Sequence, residues 1–356
     1  MLLALSVTVF GQSVVPAASS GPKDSFTQRI TGYAAQRHFN GTILVQQHGK
    51  RIYNKSFGLA NFQYDVANTN QTKYKIASIT KLFTSVLIMQ LKDREKIDLD
   101  QNISTYLPGY KGEGGDKVKI FNLLTATSGI ESNEKDAVND DDIPAMYVKP
   151  YTTDQLLNLF CSGKLENPPG KVWNYNNADY VILGKIIEAI YKKPYEAVLK
   201  EQILDPLHME HTGMFNMLEV IKDLAAVYMI NDHTKAIENN PPLYTENYYA
   251  AGGLYSTADD LLKFANALYG NKLISSSSLA AILKPYLAGY GFGIWVSETT
   301  VNHKKITLDD RQGAIWGTRT RLERILEEDI TIVLLTNVQT ANIDDMQSEI
   351  IKALVK

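Results

Sequence analysis

The chain has 356 residues, 44% of them hydrophobic and 21% charged, and its 36 basic and 39 acidic residues leave a net charge of -3. That composition supplies a large globular core and excludes the basic face that nucleic-acid binding requires. The single cysteine, Cys161, excludes an intramolecular disulfide, and its place in the apolar run LLNLFCSG reads as core filling, not as a nucleophile.

In chain order, residues 1–20 read as a secretory signal. An apolar run from Leu2 to Phe10 is followed by small residues, with no charge before Lys23; such a run resembles an h-region and cleavage zone, the alternative being a frayed apolar segment. It is shorter than the ~20 residues of a spanning helix. The mature chain, residues 21–356, is therefore expected in the periplasm or secreted, without stable membrane insertion. Apolar residues at helical spacing (Phe26, Ile30, Tyr33, Ala34) predict a first helix from Lys23 to Phe39. GTILVQQHGKRIYNKSFG predicts a hairpin turning at His48-Gly49. SITKLFTSVLIMQLKD switches to a helical pattern, and the chain from Asp98 to Leu262 alternates helix and loop. Ser256 followed by Asp259 has the spacing of a capping box. YGFGIWVSE, KKITLDD, AIWGTRTRLERI and DITIVLLTN predict strands, and an amphipathic helix from Asn342 to Val355 closes the chain. The fold class is α+β. A sheet part built from both chain ends (about 21–77 and 263–356) would hold an inserted helical part (about 78–262).

The chemistry concentrates at two short motifs. Ser78-Ile79-Thr80-Lys81 is an S-x-x-K motif; Ser20 to Lys23 and Ser132 to Lys135 also match, but only Ser78 lies where an extended run, Lys73 to Ile76, meets a long apolar helix. Residues three apart share a helix face, so Lys81 can reach Ser78. A serine hydroxyl needs a neighbour to take its proton, and the positive end of a helix lowers a lysine's preference for charge. The structural alternative is an N-cap serine and a solvated lysine. Tyr175-Asn176-Asn177 follows NPPGKVWN and precedes ADYVILGKIIEAI. A phenol near a lysine has a lowered pKa and can act as base, and an Asn amide can both donate and accept. The alternative is a packed loop tyrosine with Asn177 as an N-cap. His208 and His211, three apart, have no acidic or cysteine partner in view, so no metal and no cofactor is expected.

Taken with FNGTILVQQHGKRIYNKSFGLAN, IFNLLTATSGI, ILDPLHMEHTGM, AAGGLYSTADDLLKFANAL and YGFGIWV, these motifs resemble the β-lactamase-related serine hydrolases. Class C β-lactamases, D-alanyl-D-alanine carboxypeptidases and their esterase relatives are nearest in style. The resemblance implies an antiparallel sheet flanked by the N- and C-terminal helices, with an inserted all-helical region. It implies Ser78 as nucleophile, Lys81 and Tyr175 as a shared base, and Asn177 as a contact to the substrate amide. It aligns Arg311-Gln312-Gly313 with the family's Lys-Thr-Gly or His-x-Gly triplet, and it assigns the oxyanion hole to the N–H groups of Ser78 and Ala314. Three positions depart from the family pattern: the triplet itself, Ala126 in place of the usual histidine of LLTHTSG, and His208 in place of a glycine. Arg311, opposite Ser78, is expected to hold a substrate carboxylate with its planar fork of donors and to lower the pKa of both Lys81 and Tyr175. The alternative is a strand-edge pairing with Asp309 or Asp310. Gly313 would let a substrate approach the backbone closely. Two functions follow. The first is hydrolysis, through a covalent Ser78 ester, of a small ester, a D-amino-acid peptide or a β-lactam-like amide. The second is a non-catalytic ligand- or peptide-binding protein on the same scaffold.

Overall fold

The computed structural model of the protein describes residues 22–131, 143–231, 233–339 and 342–356. The expected signal and the S-x-x-K matches beginning at Ser20 and Ser132 fall outside them. Five helices and six strands frame the site: α1 (Pro22–Gln36), β1 (Gly41–Gln47), β2 (Lys50–Phe57), α2 (Thr80–Asp93), α3 (Asn177–Tyr191), α4 (Ala258–Tyr269), β3 (Trp295–Val301), β4 (Lys304–Ile315), β5 (Thr318–Ile325), β6 (Ile330–Thr336) and α5 (Ile343–Leu354). The strands form one antiparallel sheet in the order β3-β4-β5-β6-β1-β2. The α+β architecture expected from the sequence is the one observed.

The hairpin forms for a local reason. His48 and Gly49 both have positive φ, 49° and 71°, the pairing of a two-residue turn whose twist matches its strands. Both chain ends meet in the sheet, with Gly41 opposite Thr336. The sheet is covered on both faces, which is why ITIVLLT of β6 is buried along its whole length. Phe26 and Ile30 of α1 and Met346 and Ile350 of α5 pack with Ile43, Val45, Ile332 and Leu334 on one face. α4 packs on the other, where Phe264 stacks on Phe83 of α2. Every residue of α2 from Thr80 to Gln90 is buried, as expected of a helix apolar on all sides. Cys161 is buried at the end of the helix Thr153–Phe160.

Two local expectations are corrected. The cap before α4 is Thr257, whose hydroxyl accepts from the Asp260 N–H, whereas Ser256 ends the short strand Leu254–Ser256 and bonds Thr212 at 2.7 Å. KKITLDD and the start of AIWGTRTRLERI form one strand, β4, running straight through Arg311-Gln312-Gly313, with the hairpin turn at Trp316-Gly317.

Candidate active site

Ser78 sits in a single 3-10 turn, Ala77–Ile79, that leads into α2. Ala77 has φ 50°, unusual for a residue with a side chain, and the turn is tied down from several directions. Thr80 Oγ1 donates to Ala77 O at 2.7 Å and accepts from Leu254 N–H, and Thr320 Oγ1 donates to Ile76 O at 3.0 Å. Lys81 faces back toward Ser78 as its spacing requires. The lysine is fully buried, and its Nζ lies 3.3 Å from Ser78 Oγ, 2.5 Å from Asn177 Oδ1 and 2.8 Å from Ala251 O. The last two oxygens can only accept, so they occupy two N–H groups. The amine also contacts Ser78 Oγ, and it lies 4.8 Å from the centre of the Tyr175 ring.

Tyr175 is brought in by a zippered loop. Asn174 N–H donates to Ala126 O at 2.9 Å, Gly170 N–H to Thr127 O at 2.7 Å, and Asn176 Nδ2 to Ile130 O at 2.7 Å. Gly129 cannot be another residue here: its φ is 73°, and a Cβ would lie 2.0 Å from Asn167 O. Ala126 therefore contributes through its backbone, at φ 53°. Trp173, Tyr290 and Trp295 surround the phenol, with Trp295 stacked on Tyr175 at 5.8 Å between centroids.

Arg311 faces Ser78 and Tyr175, as expected, but its contacts there are with the protein. It is completely buried on the inner face of β4; its Nε donates to Ser78 O at 2.6 Å, Nη2 to Tyr175 OH at 2.6 Å and Nη1 to Tyr290 OH at 3.3 Å. Each of its three nitrogens donates to a protein oxygen, and the side chain is fully buried. Neither Asp309 nor Asp310 is its hydrogen-bond partner. Its charge acts on the phenol. Burial raises the Tyr175 pKa, but Arg311 and then Lys81 more than offset that, holding it at about 8 against an ordinary 10.

Gln312 points the other way, exposed, with Nε2 2.8 Å from Asp310 Oδ2. Gly313 is needed for packing: a Cβ there would meet Ile76 O and Thr320 Oγ1, each at 2.4 Å, so the close approach is between β4 and the serine turn. Ala314 is exposed and registers with Arg319 of β5. Ser78, Tyr175, Trp295, Gln312, Gly313, Ala314 and residues of β5 and the start of α5 line one cavity of about 560 Å³. A cleft of about 590 Å³ beside Lys92, Tyr106 and Phe121 contains no serine nucleophile. His208 stands in the turn after residue 204 with φ 52°.

One buried group escaped sequence reading. Asp179, in the first turn of α3, is fully buried, and neither carboxyl oxygen has a well-formed hydrogen bond among the described residues. Burial holds its carboxyl well above the usual range, with Ser128 and the nearby Lys81 charge opposing. Acidic residues are common in a helix's first turn, so its burial leaves no mark in the sequence.

The arrangement pairs a buried lysine and an acidified phenol with one serine hydroxyl at the mouth of a cavity under a sheet strand. The chain belongs to the β-lactamase family, whose family model, described as Beta-lactamase, matches residues 26–354. It is similar to the putative penicillin-binding protein PbpX of Bacillus subtilis (strain 168), 29% identical over 273 residues, covering 76% of this chain and 65% of that one. The teichoic acid D-alanine hydrolase of Staphylococcus aureus is 27% identical over 284 residues, covering 78% of this chain and 67% of the relative. The chain thus spans about two thirds of these curated relatives. The crystal structure of FmtA from Staphylococcus aureus superposes with a TM-score of 0.77 at 25% identity, covering 94% of this chain and 91% of the other. Among the described residues, no helix is long and apolar enough to cross a membrane.

Proposed function

We propose that the protein is a serine hydrolase that cleaves D-aminoacyl esters or amides through a covalent acyl-enzyme on Ser78. The observation that carries this reading is the convergence of Lys81 Nζ on Ser78 Oγ at 3.3 Å while Asn177 and Ala251 hold the amine from behind. In the forward step Ser78 Oγ bonds to the substrate carbonyl carbon as its proton passes to the Lys81–Tyr175 pair. The oxyanion rests on the N–H groups of Ser78 and Ala314. The pair returns the proton to the leaving oxygen or nitrogen as that bond breaks. Water then repeats the sequence on the acyl-serine and releases the acid. Tyr175, already partly ionised near pH 8, needs little further driving force to accept a proton. The name of the Staphylococcus aureus relative supports a D-alanyl ester as the first substrate to try. Neutral esters, D-amino-acid peptides and β-lactams share the same acylation step. The apolar run from Leu2 to Phe10 supports delivery outside the cytoplasm, which N-terminal sequencing of exported protein tests.

Intact-protein mass spectrometry after exposure to a fluorophosphonate and, separately, to a penicillin tests the mechanism. A fluorophosphonate adduct on Ser78 is the expected result. A long-lived penicillin adduct indicates a peptidase or esterase type, and penicillin turnover without an adduct a β-lactamase type. No adduct and no ester turnover would overturn the proposal in favour of a non-catalytic binding protein.

A further inference from the structure

The β4–β5 hairpin carries four arginines, and three have fixed partners. Arg311 is bonded to Tyr175, Tyr290 and the Ser78 carbonyl. Arg321 bridges Asp310, at 3.1 Å, and Asp344, at 2.8 Å. Arg324 pairs with Asp329 and Thr331. Arg319 is different. It is exposed, and among the described residues its guanidinium has no hydrogen bond and no ion pair.

Its location gives that freedom a use. Arg319 lines the same 560 Å³ cavity as Ser78 and Tyr175. The strand register sets it directly opposite Ala314, and side chains paired this way leave the sheet on one face about 4.5–5.5 Å apart at Cβ. Among the described residues, Asp344 is the one carboxylate lining this cavity, and it is engaged by Arg321, which also pairs with Asp310. Among the same residues Arg319 is the one cation lining the cavity, and it is a planar fork suited to two-point recognition of an oxyanion.

We infer that Arg319 is a specificity-determining residue that binds an anionic group of the substrate beside the scissile carbonyl, a carboxylate or a phosphate ester. This rests on the acyl-transfer reading of Ser78. It moves the anion-binding role from the buried Arg311 to the opposite face of the hairpin. The cavity passes from the serine turn over Gln312 and Ala314 to Arg319, so a substrate laid along it would carry its anion away from the proton-transfer groups.

The test compares two sets of esters. In one the leaving group varies: phenyl acetate, 3-carboxyphenyl acetate and 3-(phosphonooxy)phenyl acetate. In the other the acyl group varies: 4-nitrophenyl butyrate and mono-4-nitrophenyl succinate. Wild type, Arg319→Gln and Arg319→Lys are assayed for kcat/KM. At least one anionic ester should lose about 10- to 150-fold in Arg319→Gln, the worth of a charge-assisted hydrogen bond. Its neutral counterpart should stay within about twofold, as uniform machinery is untouched. Arg319→Lys should recover part of the loss by restoring charge without the fork. The larger loss, on carboxylate or on phosphate, identifies the group recognised. Equal losses on neutral and anionic esters, or no loss on any anionic ester, would overturn the assignment. Fluorophosphonate labelling of the same samples separates the two claims. An unlabelled Ser78 refutes acyl transfer itself, whereas a labelled Ser78 with no anion dependence refutes only the role of Arg319.

Discussion

Arg311 donates through Nη2 to the phenolic oxygen of Tyr175 and through Nε to the carbonyl oxygen of Ser78, each at 2.6 Å. One buried cation thus binds the backbone of the Ser78 turn and the phenol of Tyr175. An arginine does not release its proton at any working pH, so it can serve this pair only by position and charge.

The pH profile should report that charge. In the proposed mechanism the phenolate form of Tyr175 accepts the proton, and its pKa lies at about 8, so kcat/KM should rise with pH and level off above that value. Arg311→Gln removes the largest influence opposing burial, and the midpoint should move toward or beyond the ordinary phenol value. A two-unit displacement costs about 100-fold at pH 7. Arg311→Lys keeps the charge and should keep most of the profile. A midpoint that stays put in Arg311→Gln would show that Tyr175 is not the titrating base.

Ser78→Ala should abolish fluorophosphonate labelling and lower ester turnover by roughly three orders of magnitude or more, since a nucleophile has no substitute. Thermal unfolding checks that the fold survives. Labelling that persists in the alanine variant would contradict the assignment.

Lys81 and Tyr175 lie side by side at Ser78, with Nζ 4.8 Å from the centre of the phenol ring, so in the proposed mechanism they should behave as one unit. Each single variant, Lys81→Ala or Tyr175→Phe, should lose most of the activity, and the double variant little more than the worse single one. Multiplicative losses in the double-mutant cycle would mean that the two groups act independently.

Stability should carry its own pH signature, far from the serine. Glu323 of β5 is buried; burial, and then the charge of Asp310, raise its pKa from 4.5 to about 8. The folded protein therefore holds a proton there that the unfolded chain releases, and the stabilisation is complete below pH 4.5 and lost progressively up to pH 8. The Tm should fall across that window. Glu323→Gln, which retains a partner for Gln347, should flatten the fall and raise the Tm at pH 8 relative to wild type. Asp309, raised to about 7 by burial, would supply the remaining slope. Parallel curves for wild type and Glu323→Gln would contradict this.

Features decided by local chemistry were readable before any coordinates. His48-Gly49 marked its turn, the apolar run of α2 its burial, and the Ser78–Lys81 spacing its contact. The side of β4 that Arg311 faces was also readable, because its alignment with the family's triplet set it opposite Ser78. What the sequence does not carry is the set of protein oxygens that meet its guanidinium, since Ser78 O, Tyr175 and Tyr290 come from distant parts of the chain, and Arg319 was passed over. Gly313 was linked to substrate for a similar reason, because its crowding by Ile76 and Thr320 is a tertiary contact. The cap at Thr257 was missed by one residue because Ser256 belongs to a strand pairing with Tyr74.

The meeting of β1 with β6 bears on how this protein matures. Arg311 reaches Ser78 across 233 residues of chain, Lys81 reaches Asn177 across 96, and the first strand pairs with the last at Gly41 and Thr336. Contacts so distant in sequence form slowly and late in folding. During synthesis the nucleophile emerges long before the strand that anchors its carbonyl, so a nascent or truncated chain carries Ser78 without its chemistry. In a refolding experiment, helical signal should return first and covalent labelling of Ser78 last, which makes the serine a reporter of completed folding.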